Sequence, residues 1–171
     1  AAIYDDERDP RLGAENADIV IVEFMDYKCS YCRVAASWVD SVIEEHGDRV
    51  QFVIKEYPIL GADSEEAARA ALAALRQGTD VYAAFHNAMV SSSGPLPENR
   101  INQLARVSGV DVEQMRQDME DPAIMDHIRQ VRSLGSVLGV SGTPFFIVDG
   151  TVINGANEMA LDEALNRALA G

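Results

Sequence analysis

The sequence predicts an α/β domain in which a βαβ half and a ββα half are separated by an all-helical insertion. Three observations carry this reading. An apolar β-branched run, a helical stretch and a second apolar run follow one another between Ile19 and Glu56. No strand pattern occurs from about Gly61 to Leu138, and the chain then closes with a strand, a tight turn, a strand and a helix. A length of 171 residues suits one compact domain carrying a large insertion and is enough to bury a sizeable core.

Residues 1–18 are acidic and broken by Asp9-Pro10 and Gly13, and read as an irregular surface lead-in. Ile19 to Phe24 shows almost no alternation, as expected of a strand buried on both faces. Val34, Trp38 and Val42 then recur at helical spacing from about Ser30 to Glu45, with Gly47 as the stop. Val50 to Glu56 reads as a second strand ended by Tyr57-Pro58, parallel to the first through a right-handed crossover. Within residues 61–138, Asp63 and Glu66 form a capping pattern, Ala67, Ala71, Leu72 and Leu75 make a helical stripe, and Thr79 opens a helix bearing Tyr82, Phe85, His86 and Met89. Shorter helices follow around Ile101 and Met115, and Asp121-Pro122 starts a longer one through Leu138. In the last third, Asp149-Gly150 between Phe145–Val148 and Thr151–Ile153 is a two-residue hairpin signal, and Asn157 can cap a final helix. Residues 19–60 and 139–171 are thus expected to form one domain around the 61–138 insertion.

Composition excludes several classes of function. With 14 Lys and Arg against 28 Asp and Glu, the formal net charge is −14, and a surface so acidic repels nucleic-acid phosphates and anionic lipid. No apolar run approaches the roughly 20 residues of a membrane helix. No basic, then apolar, start marks a signal peptide, and the beginning at Ala1-Ala2 without Met is read as that of a mature or trimmed chain.

The two cysteines, Cys29 and Cys32, are the sharpest feature. A disulfide closing four residues is worth only roughly 2 kcal/mol of chain entropy, which makes it a poor staple. At a strand-to-helix junction the pair lies on one helical face, about 5–6 Å apart, and can open and close with little backbone movement. Cys29 falls at the helix N-terminus, where unpaired N–H groups and the dipole favour a thiolate, and Lys28 adds a positive charge. It is the expected nucleophile, with Cys32 as the resolving thiol. A zinc site would need two further ligands, and His46, His86 and His127 are scattered; a cysteine hydrolase would leave Cys32 idle. Redox chemistry is favoured, with no metal and no cofactor.

Three separated motifs, Val22-Glu23-Phe24-Met25-Asp26-Tyr27-Lys28-Cys29-Ser30-Tyr31-Cys32, Lys55-Glu56-Tyr57-Pro58-Ile59-Leu60-Gly61 and Val140-Ser141-Gly142-Thr143-Pro144-Phe145-Phe146, occur in this order around the helical insertion. In this the chain resembles the DsbA-like thiol:disulfide oxidoreductases of the thioredoxin superfamily. The resemblance implies a thioredoxin-like fold and Pro144 as a cis-proline facing the cysteines, with Thr143 offering backbone hydrogen bonds to an extended peptide. It implies that Glu23 and Lys55 form a semi-buried charged pair that moves the proton of Cys32, a role Glu56 could share. Ser30 and Tyr31 would set the redox poise, and Ser30 departs from the proline common in the family.

The activity implied is disulfide formation in reduced or folding proteins. A membrane redox partner would reoxidise the site, and the protein would act as a monomer in the periplasm. A disulfide isomerase or reductase is the alternative, and a chaperone-like binding module is a third reading. His86 and His127 read as structural residues, Trp38 as core, and Met115 and Met119 as ordinary helix packing.

Overall fold

The computed structural model describes residues 2–171, which form a five-stranded mixed sheet and seven helices. The strands are β1 (Arg11–Gly13), β2 (Ile19–Met25), β3 (Val50–Glu56), β4 (Phe145–Val148) and β5 (Thr151–Asn154), in the spatial order β1-β3-β2-β4-β5. β2 and β3 are parallel, as a βαβ unit through α1 (Ser30–His46) requires, and the other pairings are antiparallel. The β4–β5 turn has Asp149 at φ 48° and Gly150 at φ 85°, the positive pair that a tight hairpin needs. The insertion holds α2 (Ala62–Leu75), α3 (Thr79–Ser91), α4 (Glu98–Val107), α5 (Val112–Asp118) and α6 (Pro122–Leu138), and α7 (Glu158–Ala170) ends the chain.

The sheet divides the core in two. Ile19, Ile21, Met25, Phe52, Ile54, Phe146 and Val148 point to one face, where they meet α1, α7 and the helical insertion. Trp38 sits there between Phe52 and Phe146, edge-on to both. The alternate residues Val22, Phe24, Val53, Phe145 and Ile147 point to the other face, since successive strand side chains lie on opposite sides.

Three expectations need correction. The lead-in is not wholly irregular: Arg11–Gly13 adds an edge strand to β3, and the backbone N–H of Ile54 bonds to Pro10 O at 2.9 Å. Nor does the insertion end at residue 138 as a separate body. The first half of α6 packs into the core on the helical side through Ile124 and Ile128, but Val131, Leu134 and Leu138 cover the opposite face of the sheet with Val22 and Phe24. Finally, Asp63 and Glu66 do not form a capping pair. α2 begins at Ala62 with Gly61 as its N-cap, two residues before such a pair would start it, and the two carboxylates instead face Lys28 and Arg116, at 3.8 and 2.9 Å. The caps expected at Asp121 and Asn157 do form.

One close approach steers the chain into the Thr143–Pro144 segment. Gly135 on α6 leaves room for the Tyr57 ring, whose hydroxyl donates to Val140 O at 2.8 Å. A Cβ at residue 135 would stand 2.6–2.7 Å from three Tyr57 atoms. Overpacking against a rigid ring costs about 1–3 kcal/mol, against the roughly 1 kcal/mol that Ala gains over Gly in a helix. Gly135→Ala is therefore expected to lower the melting temperature by several degrees, and calorimetry showing a variant as stable as the parent would count against this packing.

Candidate active site

β2 delivers the chain to the junction with α1, and a single carboxylate fixes the path of the connecting loop. Asp26 is buried, and its side chain accepts four hydrogen bonds: from the backbone N–H groups of Lys28 (2.8 Å), Ile59 (2.8 Å) and Leu60 (3.0 Å), and from the Ser64 hydroxyl (2.7 Å). Its carbonyl oxygen accepts from Cys29 N–H at 3.1 Å. The loop before α1, the loop after β3 and the first turn of α2 are thereby tied to one point. Cys29 is left in an extended conformation (φ −79°, ψ 117°) as the N-cap of α1, where its sulfur takes the place a Ser or Asp oxygen usually fills.

That placement determines the sulfur chemistry. Cys32 N–H donates to Cys29 Sγ at 3.2 Å, and the neutral Cys29 thiol donates to Thr143 O at 3.3 Å. Both cysteines are free thiols, Cys29 8% exposed and Cys32 fully buried. The Cys32 thiol, hydrogen-bonded to the Cys29 thiolate, is the main cause that lowers Cys29 to about 6, with Thr143 and the N–H groups of Cys32 and Tyr31 assisting and burial opposing. The same contact pushes Cys32 far above the ordinary thiol value, as do its burial and the negative charges of Glu23 and Cys29. One sulfur is made a stable leaving group and the other is kept protonated. The positive charge expected of Lys28 is directed elsewhere, since its ammonium lies 3.8 Å from Asp63.

Thr143–Pro144, whose peptide bond is cis, lies across from Cys29 at the start of β4. Ser30 opens α1, and Tyr31 (66% exposed) and Val34 stand on its outer surface, with Ile59 and Leu60 exposed on the loop after β3. An open groove lined by Tyr27, Lys28, Ser30, Arg33, Ser92 and Pro95 runs along the other side of Cys29.

Beneath the cysteines the structure departs from the expected acid–lysine pair. Glu23 is buried and shares its sheet face with Ile54 and Glu56, whereas Lys55 is registered against Phe24 and points to the opposite face. There Lys55 is ion-paired with the buried Asp9 and donates to Ala2 O at 2.8 Å, and His127 Nε2 stands 3.0 Å from the second Asp9 oxygen. Lys55 thus anchors the N-terminal segment and does not reach Cys32. Glu23 and Glu56 are each raised to about 8, by burial first and then, for Glu23, by the charges of Glu56 and Cys29.

Glu56 also belongs to a network that no sequence motif announced. Its Oε1 accepts from Tyr27 OH at 2.7 Å and Tyr82 OH at 2.8 Å, and the same hydroxyls lie 2.7 and 3.3 Å from His86 Nδ1. Burial lowers His86 to about 4, so it is neutral at pH 7. The only sequence signal was the four-residue spacing of Tyr82 and His86, which puts both on one side of α3. Asp26 gave none.

Comparison with known proteins agrees with this geometry. Residues 20–166 match the DSBA-like thioredoxin domain. A thioredoxin-like oxidoreductase from Silicibacter pomeroyi DSS-3 superposes with a TM-score of 0.91 at 40% identity, over 99% of this chain and 97% of that one. The probable disulfide bond formation protein D of Bacillus anthracis is 29% identical over 84% of this chain and 70% of its own length. A Na(+)/H(+) antiporter NhaA of Herminiimonas arsenicoxydans is 28% identical over 89% of this chain, which spans only 24% of that longer protein. No helix among the described residues of this chain is long and apolar enough to cross a membrane.

The buried acids give stability a definite pH dependence, best read in the oxidised protein, where no thiol titrates; the Cys29 charge is then absent, but burial, the largest cause for both acids, remains. Glu23 and Glu56 rise from an ordinary 4.5 to about 8, so the folded state holds the extra protons. Their contribution is complete below pH 4.5 and is lost as pH climbs through 8. His86, lowered from 6.5 to about 4, acts oppositely and weakens the fold only as pH falls through that interval. Two carboxyls outweigh one imidazole, so unfolding free energy from urea titrations should fall by on the order of a few kcal/mol between pH 5 and pH 9, at up to about 1.4 kcal/mol per pH unit for each group. Glu23→Gln should flatten the slope, and a profile that is level or rises would refute the assignment.

Proposed function

The chain belongs to the DSBA-like thioredoxin domain family, and from that premise we propose that it forms disulfides in reduced or folding proteins through a Cys29–Cys32 redox pair. The observation that carries the proposal is the inequality of the two sulfurs: Cys29 is the N-cap of α1, its sulfur accepting from Cys32 N–H beside Thr143, and Cys32 is a buried thiol one turn deeper. A low-pKa sulfur is a good leaving group, so a bond to Cys29 is readily given up.

In the oxidised protein a substrate thiolate attacks Cys29 Sγ. The Cys29–Cys32 bond breaks, its electron pair departs on Cys32, and Cys32 takes a proton, for which Glu23 is the adjacent acid. A second substrate thiolate then attacks the substrate sulfur of the mixed disulfide, and Cys29 leaves as a thiolate. Two electrons have passed from the substrate dithiol to the cysteine pair.

Pro144 and the Thr143 backbone are assigned to holding the extended substrate segment over Cys29, and exposed Tyr31, Val34, Ile59 and Leu60 supply apolar surface around it. Ser30 and Tyr31 adjust the poise of the pair at the start of α1, Tyr31 through its backbone N–H. Continued turnover needs an electron acceptor for the reduced pair, proposed to be a membrane redox partner, in an oxidising compartment such as the periplasm. Action as a monomer is part of the proposal.

Cys29→Ser is expected to abolish disulfide formation in a reduced, unfolded test protein, and a variant that still promoted it would overturn the assignment. Equilibration with glutathione separates the two directions of use. A potential nearer about −120 mV fits a disulfide donor, and one near about −270 mV would make the chain a reductase or isomerase.

A further inference from the structure

The groove beside Cys29 stands apart from the rest of this acidic surface. It encloses about 320 Å³, within the range of ligand-binding clefts. In a chain with 28 Asp and Glu against 14 Lys and Arg, its walls carry two cations, Lys28 and Arg33, and no carboxylate. Arg33 lies one turn along α1 from Cys29, its backbone N–H bonded to Cys29 O at 3.2 Å, so both residues face the groove from one side of the helix.

The two cations are held differently. Lys28 is drawn to Asp63 at 3.8 Å, an exposed pair of the kind that holds its partners loosely. The Arg33 side chain is exposed and makes no hydrogen bond or ion pair among the described residues. Neither cation is among the main causes that lower Cys29, so both charges are left to act on what enters the groove. Ser30 from α1 and Ser92 from the end of α3 add hydroxyl donors to its walls. The end of α3 also brings the partial negative charge of a helix C-terminus, which is smaller than that of either full cation.

We propose that this groove makes the site selective for thiols flanked by carboxylates: a substrate segment laid over Cys29 sets an Asp or Glu beside its reacting cysteine against Arg33, with Lys28 and the two hydroxyls alongside. This deepens the proposed disulfide formation and rests on it. An extended segment advances about 3.3 Å per residue, so the residues adjoining the substrate cysteine are those within reach of a groove that begins at Cys29. The bond changes are those of the exchange itself. The substrate thiolate joins Cys29 Sγ, the electron pair of the Cys29–Cys32 bond leaves on Cys32, which takes a proton, and the carboxylate is bound without being consumed. The selection is local. The net charge of −14 repels an acidic substrate from afar, but that field is screened beyond about 8 Å at physiological ionic strength, whereas a carboxylate in the groove meets Arg33 directly.

The test uses the oxidised protein and two synthetic dithiol peptides that differ only in the residues beside the attacking cysteine, Glu in one and Gln in the other. Rates are expressed per thiolate, at an ionic strength of about 0.15 M. Wild-type protein should oxidise the Glu peptide faster than the Gln peptide by roughly twofold to fivefold, the size of one exposed ion pair. Arg33→Ala should bring this ratio to one or below, and Arg33→Glu should invert it. Lys28→Ala should lower it by less, because Asp63 already draws that ammonium aside. Each ratio is taken within one protein, so an imperfectly folded fraction cancels. A wild-type ratio of one or below, or a ratio that either Arg33 variant leaves unchanged, would refute the selectivity and leave the disulfide chemistry standing. If the wild-type protein oxidises neither peptide, both fall together.

Discussion

The carboxylate of Asp26 is the constraint on which the rest of the site depends. Three backbone N–H groups and one hydroxyl from three different segments converge on it. A buried charge is tolerable only when so fully hydrogen-bonded, and that requirement turns a flexible strand-to-helix connection into a fixed one. Because the loop is fixed, Cys29 enters α1 as its N-cap and the free N–H of Cys32 is aimed at its sulfur. The motif after β3 and the motif before α1 are therefore one structural unit, although nearly thirty residues lie between them.

The overall charge imposes a second constraint. In a chain of net charge −14 the long-range field opposes a thiolate. The structure answers with short-range donors in place of a neighbouring cation: a thiol, the Thr143 side chain and two backbone N–H groups. Within a few ångströms such donors outweigh distant charges that solvent screens. The sheet extends this separation of roles. Its face toward α1 and the helical insertion carries the buried acids Glu23 and Glu56 and the two thiols. Its other face carries the compensated Lys55–Asp9–His127 cluster, which ties the N-terminal segment down.

Much of the architecture was legible in the sequence because it is local. Apolar runs of different period, Asp149-Gly150, Asp121-Pro122 and Asn157 each act within a few residues, and the elements they predict are present. Cys29 and Cys32 were legible for the same reason. What escaped depends on register and on contacts between distant segments. Pairing Glu23 with Lys55 required both on one face, yet strand alternation allows that for only one of two adjacent residues, and the β2–β3 register selects Glu56. β1 escaped because three residues beside Asp9-Pro10 have no period to detect; pairing with β3 gives them their form. α6 reads as part of the insertion because its continuous period cannot reveal that its two halves pack against different partners.

Titration of the reduced protein, followed by the ultraviolet absorbance of the thiolate, tests most directly whether this scaffold makes the two sulfurs unequal. A single ionisation with a midpoint near pH 6 is expected, absent in Cys29→Ser, with Cys32 remaining protonated well into the alkaline range. A first midpoint near the ordinary thiol value of about 8.5, or one that survives loss of Cys29, would contradict it.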